Sequence, residues 1–205
     1  MARCARELGH TVLTLDISPK HGPDLCMSVL GFIPGITIPA FVPDFIWASP
    51  PCESYSLARS NVTKDEKEEA MRAADELVAH TLKIIRFYTL RGCHFCIENP
   101  ASSRLWKREV TMPLLMGCEY CITSYCSFGM RYRKNTRIAS SFPLNLPRCP
   151  GAGLCPAMIG SIHMEHAQRG GGGAINKYHT QDELHSIPSE LCRSVLAQAP
   201  LIGRL

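Results

Sequence analysis

Two strand-like runs in this sequence end on side chains able to do chemistry. Residues 44–49 are largely apolar and stop at Pro50 and Pro51, so the chain leaves a sheet edge in a stiff loop whose first reactive group is the Cys52 thiol. A second run, Cys93-His94-Phe95-Cys96-Ile97, ends in Glu98-Asn99-Pro100, which sets a carboxylate just past another strand terminus. Cys52 is a candidate nucleophile and Glu98 a candidate proton donor, and neighbouring strands would bring the two into one crevice. A free thiol, with a pKa of about 8.5, is only a few per cent ionised at neutral pH; restoring the thiolate takes under about 2 kcal/mol, which a nearby cation or loop amides can supply. Either stretch alone is a weak signal, because a buried cysteine is inert far more often than nucleophilic.

Two further groups have suitable side chains. Arg131, Arg133, Lys134 and Arg137 form a basic cluster, suited to phosphate contacts or simply to a charged surface loop. Cys149 and Cys155, followed by His163 and His166, could bind zinc as a Cys2His2 set, although their spacing is irregular and unlinked loop residues are the plainer reading. Cys118 and Cys121 form a Cys-x-x-Cys pair that fits burial near a strand, as do Cys93 and Cys96. Residues 170–173, all glycine, read as a flexible joint and lack the lysine a phosphate cradle would need. His163-Met164-Glu165 suggests a zinc deaminase, but no Pro-Cys-x-x-Cys follows it.

The elements that must position these groups follow from pattern. The chain has 205 residues, 45% of them hydrophobic, enough to bury one core. A net charge of +4 permits a polyanionic partner without requiring one. Eleven cysteines, an odd number, behind an N-terminus without a signal-like stretch, indicate free thiols in an intracellular, reducing compartment, cytoplasm or nucleus. No run approaches the roughly 18 apolar residues of a membrane span, so no membrane partner is expected. Residues 2–8 read as a short helix ended by Gly9, and residues 11–15 as a strand ending at Asp16 and Ile17. An acid at the end of such a strand can bind ribose hydroxyls, or merely begin the turn. Thr63 and Glu66 have capping-box spacing, and Ala70, Ala73, Ala74, Leu77, Val78, Thr81, Ile84, Ile85 and Tyr88 recur at three and four residues. The helix they define, about 25 residues long, suits a crossover between parallel strands. Pro188 starts a closing helix with Leu191, Val195 and Leu196 on one face.

The order strand, Pro-Pro-Cys, helix, strand, Glu-Asn-Pro resembles the DNA cytosine-5 methyltransferases, above all the compact phage and viral members. Residues 124–138 resemble the basic stretch that follows a strand near the active site in the phage-type proteins. Where these proteins often continue Trp-Thr-Asn, this chain has Ala139-Ser140-Ser141. The resemblance implies an α/β fold built on a Rossmann-like, S-adenosylmethionine-dependent methyltransferase sheet, N-terminally truncated, with a small Cys/His-containing recognition segment. The divisions it suggests are residues 1–138 for the catalytic core, 139–181 for target recognition and 182–205 for a helix returning to the core.

Carbon 5 of cytosine is a poor nucleophile, so the family adds a thiolate at carbon 6, makes an enamine that accepts the methyl group, and then expels the thiol as the carbon 5 proton leaves. The resemblance makes Cys52 that nucleophile and Glu98 the group that protonates ring nitrogen N3. Arg133 and Arg137 are assigned to the catalytic site, where they would hold the base's carbonyl oxygen or a flanking phosphate. Arg131, Arg133, Lys134 and Arg137 would contact nucleic acid, DNA first with an RNA substrate left open, and the target base must be flipped. Cofactor contacts fall to Asp16, Ile17, Asp24 and Pro50, with Asp24 standing in because Ser28 occupies the usual acidic position. A structural zinc on Cys149, Cys155, His163 and His166 would be the only other cofactor.

The family opens with a strand and a Phe-x-Gly-x-Gly turn, whereas this sequence begins inside the helix that would follow. A missing central strand would cost on the order of 10 kcal/mol. Either the true start lies upstream or something else fills the gap. The competing reading is a non-catalytic remnant or nucleic-acid-binding module that keeps the fold.

Overall fold

The computed structural model describes residues 1–56, 63–167 and 172–201. Helix α1 (Ala2–Glu7) is followed by Gly9, whose φ of +84° ends it and whose N–H bonds the Arg6 carbonyl at 2.9 Å. Strands β1 (Leu15–Asp16) and β2 (Leu25–Cys26) pair in parallel. The expected strand over residues 11–15 is thus reduced to its last residue, because the Thr14 N–H and hydroxyl are taken by the Asp24 carboxylate at 2.7 and 2.6 Å.

The main sheet comprises β3 (Phe45–Ala48), β4 (His94–Pro100), β5 (Glu119–Ser124) and β6 (Asn135–Ser140), in the order β3-β4-β6-β5. β3 and β4 are parallel, with Phe45 opposite His94 and Ala48 opposite Ile97, while β6 runs antiparallel to both β4 and β5. The sheet is therefore mixed, as an α/β fold of this type allows. Among the described residues β1–β2 and β3–β4–β6–β5 share no ladder. Leu15, Leu25 and Ile46 nevertheless pack on one cluster of Phe32, Tyr88 and Cys93, so both sheets lean on the same helix.

That helix, α2 (Lys64–Thr89), is the crossover the sequence predicts. Its capping box is complete: Glu66 N–H reaches the Thr63 hydroxyl at 3.3 Å, and the Glu66 carboxylate accepts the Thr63 N–H at 2.8 Å. The buried stripe is Met71, Ala74, Val78, Ile85 and Tyr88; Ala73, expected on it, is exposed because the face is turned toward Met71. Alternation along the strands divides the core. Phe95, Ile97 and Ala139 pack toward α2 with Ile85 and Trp106, whereas Cys96 and Ile138 pack on the other side with Tyr125, Tyr132, Leu191 and Val195.

A four-residue helix, α3 (Met112–Leu115), leads into β5. The hairpin β7 (Met158–Ile159) and β8 (Ile162–His163) holds the Cys/His segment. Gly170 and Gly171 of the glycine run lie outside the described residues. Gly173 is needed where it stands: a Cβ there would lie 2.6 Å from the Met164 carbonyl oxygen. Helix α4 (Gln181–His185) starts on a second capping box, Thr180 with Glu183, and α5 (Ser189–Gln198) buries Leu191, Cys192, Val195 and Leu196. α5 returns to the N-terminus, where Cys192 and Leu196 meet Cys4 and Ala5 of α1.

One polar knot ties the loop after Cys52 to α2. The fully buried Tyr55 donates its hydroxyl to Asp75 at 2.9 Å, and the Arg108 guanidinium grips the same carboxylate through two nitrogens, Nε at 3.0 Å. Removing Asp75 strands two donors. Asp75→Ala is expected to lower the unfolding free energy by about 2–3 kcal/mol, while Glu68→Ala, at the exposed end of the network 3.5 Å from Arg108, should cost under about 0.5 kcal/mol. Equal urea midpoints for the two variants would show that the knot contributes nothing.

Burial also pushes the Cys93 thiol up to about 12 and the Cys96 thiol higher still. In the unfolded chain both ionise near pH 8.5–9, so above that pH the unfolded state binds fewer protons and stability falls as pH rises, by up to about 1.4 kcal/mol per thiol per pH unit. Denaturant titrations at pH 8 and pH 10 should show this loss, and Cys93→Ala should reduce it. A midpoint independent of pH across that window would contradict it.

Candidate active site

The parallel pairing of β3 and β4 delivers their carboxyl ends to one edge. The loop from β3 carries Cys52, half-buried, and β4 carries Glu98 near its end, 6% exposed. Asn99 fixes the loop by donating its side-chain amide to the Pro50 carbonyl at 2.8 Å, and the Tyr55 and Ser56 N–H groups turn the chain back on the Cys52 and Glu53 carbonyls at 3.2 Å each. Glu98 is oriented by two hydroxyls, Thr136 on Oε1 and Ser49 on Oε2 at 3.2 Å.

The cation of this site is Lys134. Burial pushes the Cys52 thiol above its ordinary value; the Lys134 ammonium pulls it down, while Glu98 and Glu53 push it up. Burial in turn lowers the Lys134 ammonium, and Glu98 and Cys52 raise it. Lys134 Nζ donates to the Leu184 carbonyl at 2.7 Å and stands 4.8 Å from the centre of the Tyr125 ring. Burial, and then Glu98, keeps the Tyr125 hydroxyl protonated far above its usual range. Thiol, carboxylate and ammonium thus form one electrostatically coupled group, in which burial holds Cys52 as the thiol and the Lys134 ammonium works in the opposite direction.

The other basic residues separate from this centre. Arg137 stands opposite Asn99 in the ladder, one position from Ile138, which faces Glu98, so its side chain is on the α2 face. There its guanidinium lies over Trp106 and Tyr120, 5.5 and 5.2 Å from the ring centres. The catalytic role expected for Arg137 is therefore corrected by strand alternation. Arg133 is exposed and acts on Cys149 and His163, at the Cys/His cluster rather than at Cys52. Arg131 is exposed too, its carbonyl accepting the Glu165 N–H at 3.1 Å.

Of the expected cofactor residues, Asp24 is engaged through one oxygen: Oδ2 accepts the Thr14 N–H and hydroxyl and an Arg6 guanidinium nitrogen at 2.8 Å, while Oδ1 carries none of these bonds. Thr14, and then Arg6, holds the Asp24 carboxyl below its ordinary range. Asp24 is thus a structural pin between α1 and the residue before β1, and the oxygen it has left to offer is Oδ1. Asp16 uses Oδ1 on the Ser18 N–H at 2.8 Å, as a turn-starting acid does, and leaves Oδ2 open to solvent. Ile17 beside it is 72% exposed, an apolar surface without a partner in the fold. The Pro50 carbonyl is occupied by Asn99. Of these expected residues, Asp16 and Ile17 therefore present a carboxylate oxygen and an apolar side chain, and Asp24 its Oδ1.

The Cys/His residues do converge, but as a different set. Cys126, Cys149, Cys155 and His163 place their ligand atoms within 4.8 Å of one another. His166 is exposed and outside this group, and Cys126, just past β5, takes its place. Burial would raise the Cys149 thiol, yet the Gly151 N–H, the neighbouring thiols and Arg133 bring it below its ordinary value. Glu165 is not near these sulfurs as a deaminase acid would be; it is buried against His179 Nε2 at 3.1 Å.

No family model matches the chain. A probable DNA (cytosine-5)-methyltransferase of Frog virus 3 (isolate Goorha) is 27% identical over 164 residues, which cover 76% of this chain and 72% of the viral protein. Among solved structures, the Entamoeba histolytica methyltransferase EhMeth shares 18% identity at a TM-score of 0.48, covering 67% of this chain; the chain spans 48% of that protein's length. Along three quarters of its length, then, the chain resembles the DNA cytosine-5 methyltransferases, the family to which the order of its Pro-Pro-Cys and Glu-Asn-Pro stretches points.

Proposed function

We propose that this chain is the catalytic part of a DNA cytosine-5 methyltransferase in which Cys52 attacks carbon 6 of a flipped cytosine. The observation that carries the reading is the coupled group of Cys52, Glu98 and Lys134 at the ends of two parallel strands. Lys134 stabilises the attacking thiolate. Glu98, held by Thr136 and Ser49, presents its carboxyl group to ring nitrogen N3. Tyr125, under the Lys134 ammonium, keeps water from that side of the centre. S-adenosylmethionine, when bound, would supply the methyl group to carbon 5, and Asp16 and Ile17 are the residues that would hold this cofactor. Arg131 and Arg133, both exposed, are assigned to phosphate contacts. No cysteine among the described residues is in a disulfide, and no helix among the described residues is long and apolar enough to cross a membrane.

The engagement of Asp24 Oδ2 by Thr14 and Arg6, a structural use of an expected cofactor residue, favours one competing reading, a nucleic-acid-binding module of the same fold that does not take the cofactor. Calorimetry with S-adenosylmethionine separates the two: heat of binding at one site supports the enzyme, and none from folded protein supports the module.

Transfer of a labelled methyl group to DNA is expected for the native chain, and Cys52→Ser should reduce it at least about a thousandfold. DNA carrying 5-fluorocytosine should form a covalent complex with the native chain alone, since fluorine cannot leave as the proton does. Lys134→Gln removes the cation that lowers the Cys52 thiol, so the acid limb of kcat/KM against pH should move to higher pH, with Lys134→Arg closer to native. Undiminished transfer by Cys52→Ser would overturn the mechanism, and an unmoved limb in Lys134→Gln would overturn the assignment of Lys134.

A further inference from the structure

We infer that Cys126, Cys149, Cys155 and His163 form a closed structural site for one zinc ion. Cys149 Sγ and Cys155 Sγ lie 3.5 and 3.7 Å from His163 Nε2, and all four ligand atoms fall within 4.8 Å of each other. Tetrahedral zinc with Zn–S of about 2.3 Å and Zn–N of about 2.0–2.1 Å requires S···N edges of about 3.6 Å and S···S edges of about 3.8 Å. The observed spacings accommodate the ion with only small adjustments of the side chains.

The backbone is shaped for this. Gly151 and Gly153, at φ of +88° and +79°, turn the loop between the two cysteines so that the Cys155 N–H closes on the Gly151 carbonyl at 2.9 Å. His163 ends β8, and Cys126 lies in the single turn after β5, so the ligands come from three separate parts of the chain.

The segment also needs a staple. Its hairpin has two residues per strand, its buried apolar content is limited to Cys155 and Ala157 against Cys126, and Leu154, Ile159 and Ile162 are 75, 55 and 53% exposed. So little buried apolar surface does not order a segment of this length, whereas a metal that binds only the folded form does. Four protein ligands leave no open position for water, which makes the ion structural rather than catalytic. None of this depends on whether the chain transfers methyl groups.

The test is the metal content of the full chain purified without chelators, read by elemental analysis, together with the visible spectrum after exchange into cobalt(II). One equivalent of zinc per chain and the intense visible absorption of tetrahedral thiolate-bound cobalt are expected. Cys126→Ser and His163→Ala should lose the metal, and His166→Ala should retain it. If Cys126→Ser does not fold, the native cobalt spectrum and the His166→Ala variant still decide the matter. Native protein without stoichiometric metal that also fails to take up cobalt, or loss of metal in His166→Ala with retention in Cys126→Ser, would overturn the site.

Discussion

The parallel register of β3 against β4 is the constraint on which the candidate centre depends. Strands that run the same way end at the same edge, so a thiol on the loop after one and a carboxylate near the end of the other become neighbours without any further device. Such a pair cannot be closed by a hairpin, and the 26 residues of α2 supply the crossover. Register matters as much as direction. Sliding β4 by one residue would exchange the faces of Glu98 and Asn99 and bury the carboxylate against Trp106 and the α2 side. The ladder to β6 guards against that, because Thr136 reaches both the Glu98 carboxylate and the Asn99 carbonyl from the neighbouring strand.

The charges gathered there are costly to bury singly and tolerable together. A carboxylate as enclosed as Glu98 needs donors, which Thr136 and Ser49 provide, and a counter-charge, which Lys134 provides. The ammonium meets the same requirement through the Leu184 carbonyl and the face of Tyr125. Burial acts against the Cys52 thiolate, as do Glu98 and Glu53, and among the described residues Lys134 is the charge that favours ionisation. That cation is held in turn by the Leu184 carbonyl, from the C-terminal part of the chain.

What was legible in the sequence was local. Pro-Pro-Cys, Glu-Asn-Pro and the Thr63–Glu66 capping box are short-range signals, and each lies where the strand and helix patterns put it. The division of labour among the basic residues was not legible, because Arg137 and Lys134 differ only in which face of a strand, or which side of its first residue, they occupy. That depends on pairing with β4, a partner distant in sequence. Cys126 was missed as a ligand for the same reason: nothing near it spells a metal motif, and only the return of the loop carrying Cys149 and Cys155 brings the sulfurs together. Asp24 shows the opposite case, an acid at a plausible ligand position with one of its two oxygens taken by Thr14 and Arg6. A Thr180–Glu183 capping box, the same short-range signal as Thr63–Glu66, marks α4.

That short helix has more influence than its five residues suggest. Gln181 and His185 both reach Glu53, next to Cys52, while the Leu184 carbonyl holds Lys134 and the Glu183 carbonyl accepts the Tyr132 hydroxyl at 3.4 Å. Tyr132 stacks edge-on against His179, whose partner Glu165 follows β8 directly. The Cys52 loop, the cation and the Cys/His segment thus meet at α4 from three sides. The Cys/His segment is therefore joined to Lys134 through His179, Tyr132 and α4, and to β5 through Cys126 and the Thr123 hydroxyl on the Pro147 carbonyl. Because Lys134 favours the ionised form of Cys52, the packing of the Cys/His segment and the electrostatics of that thiol share α4 as a common support.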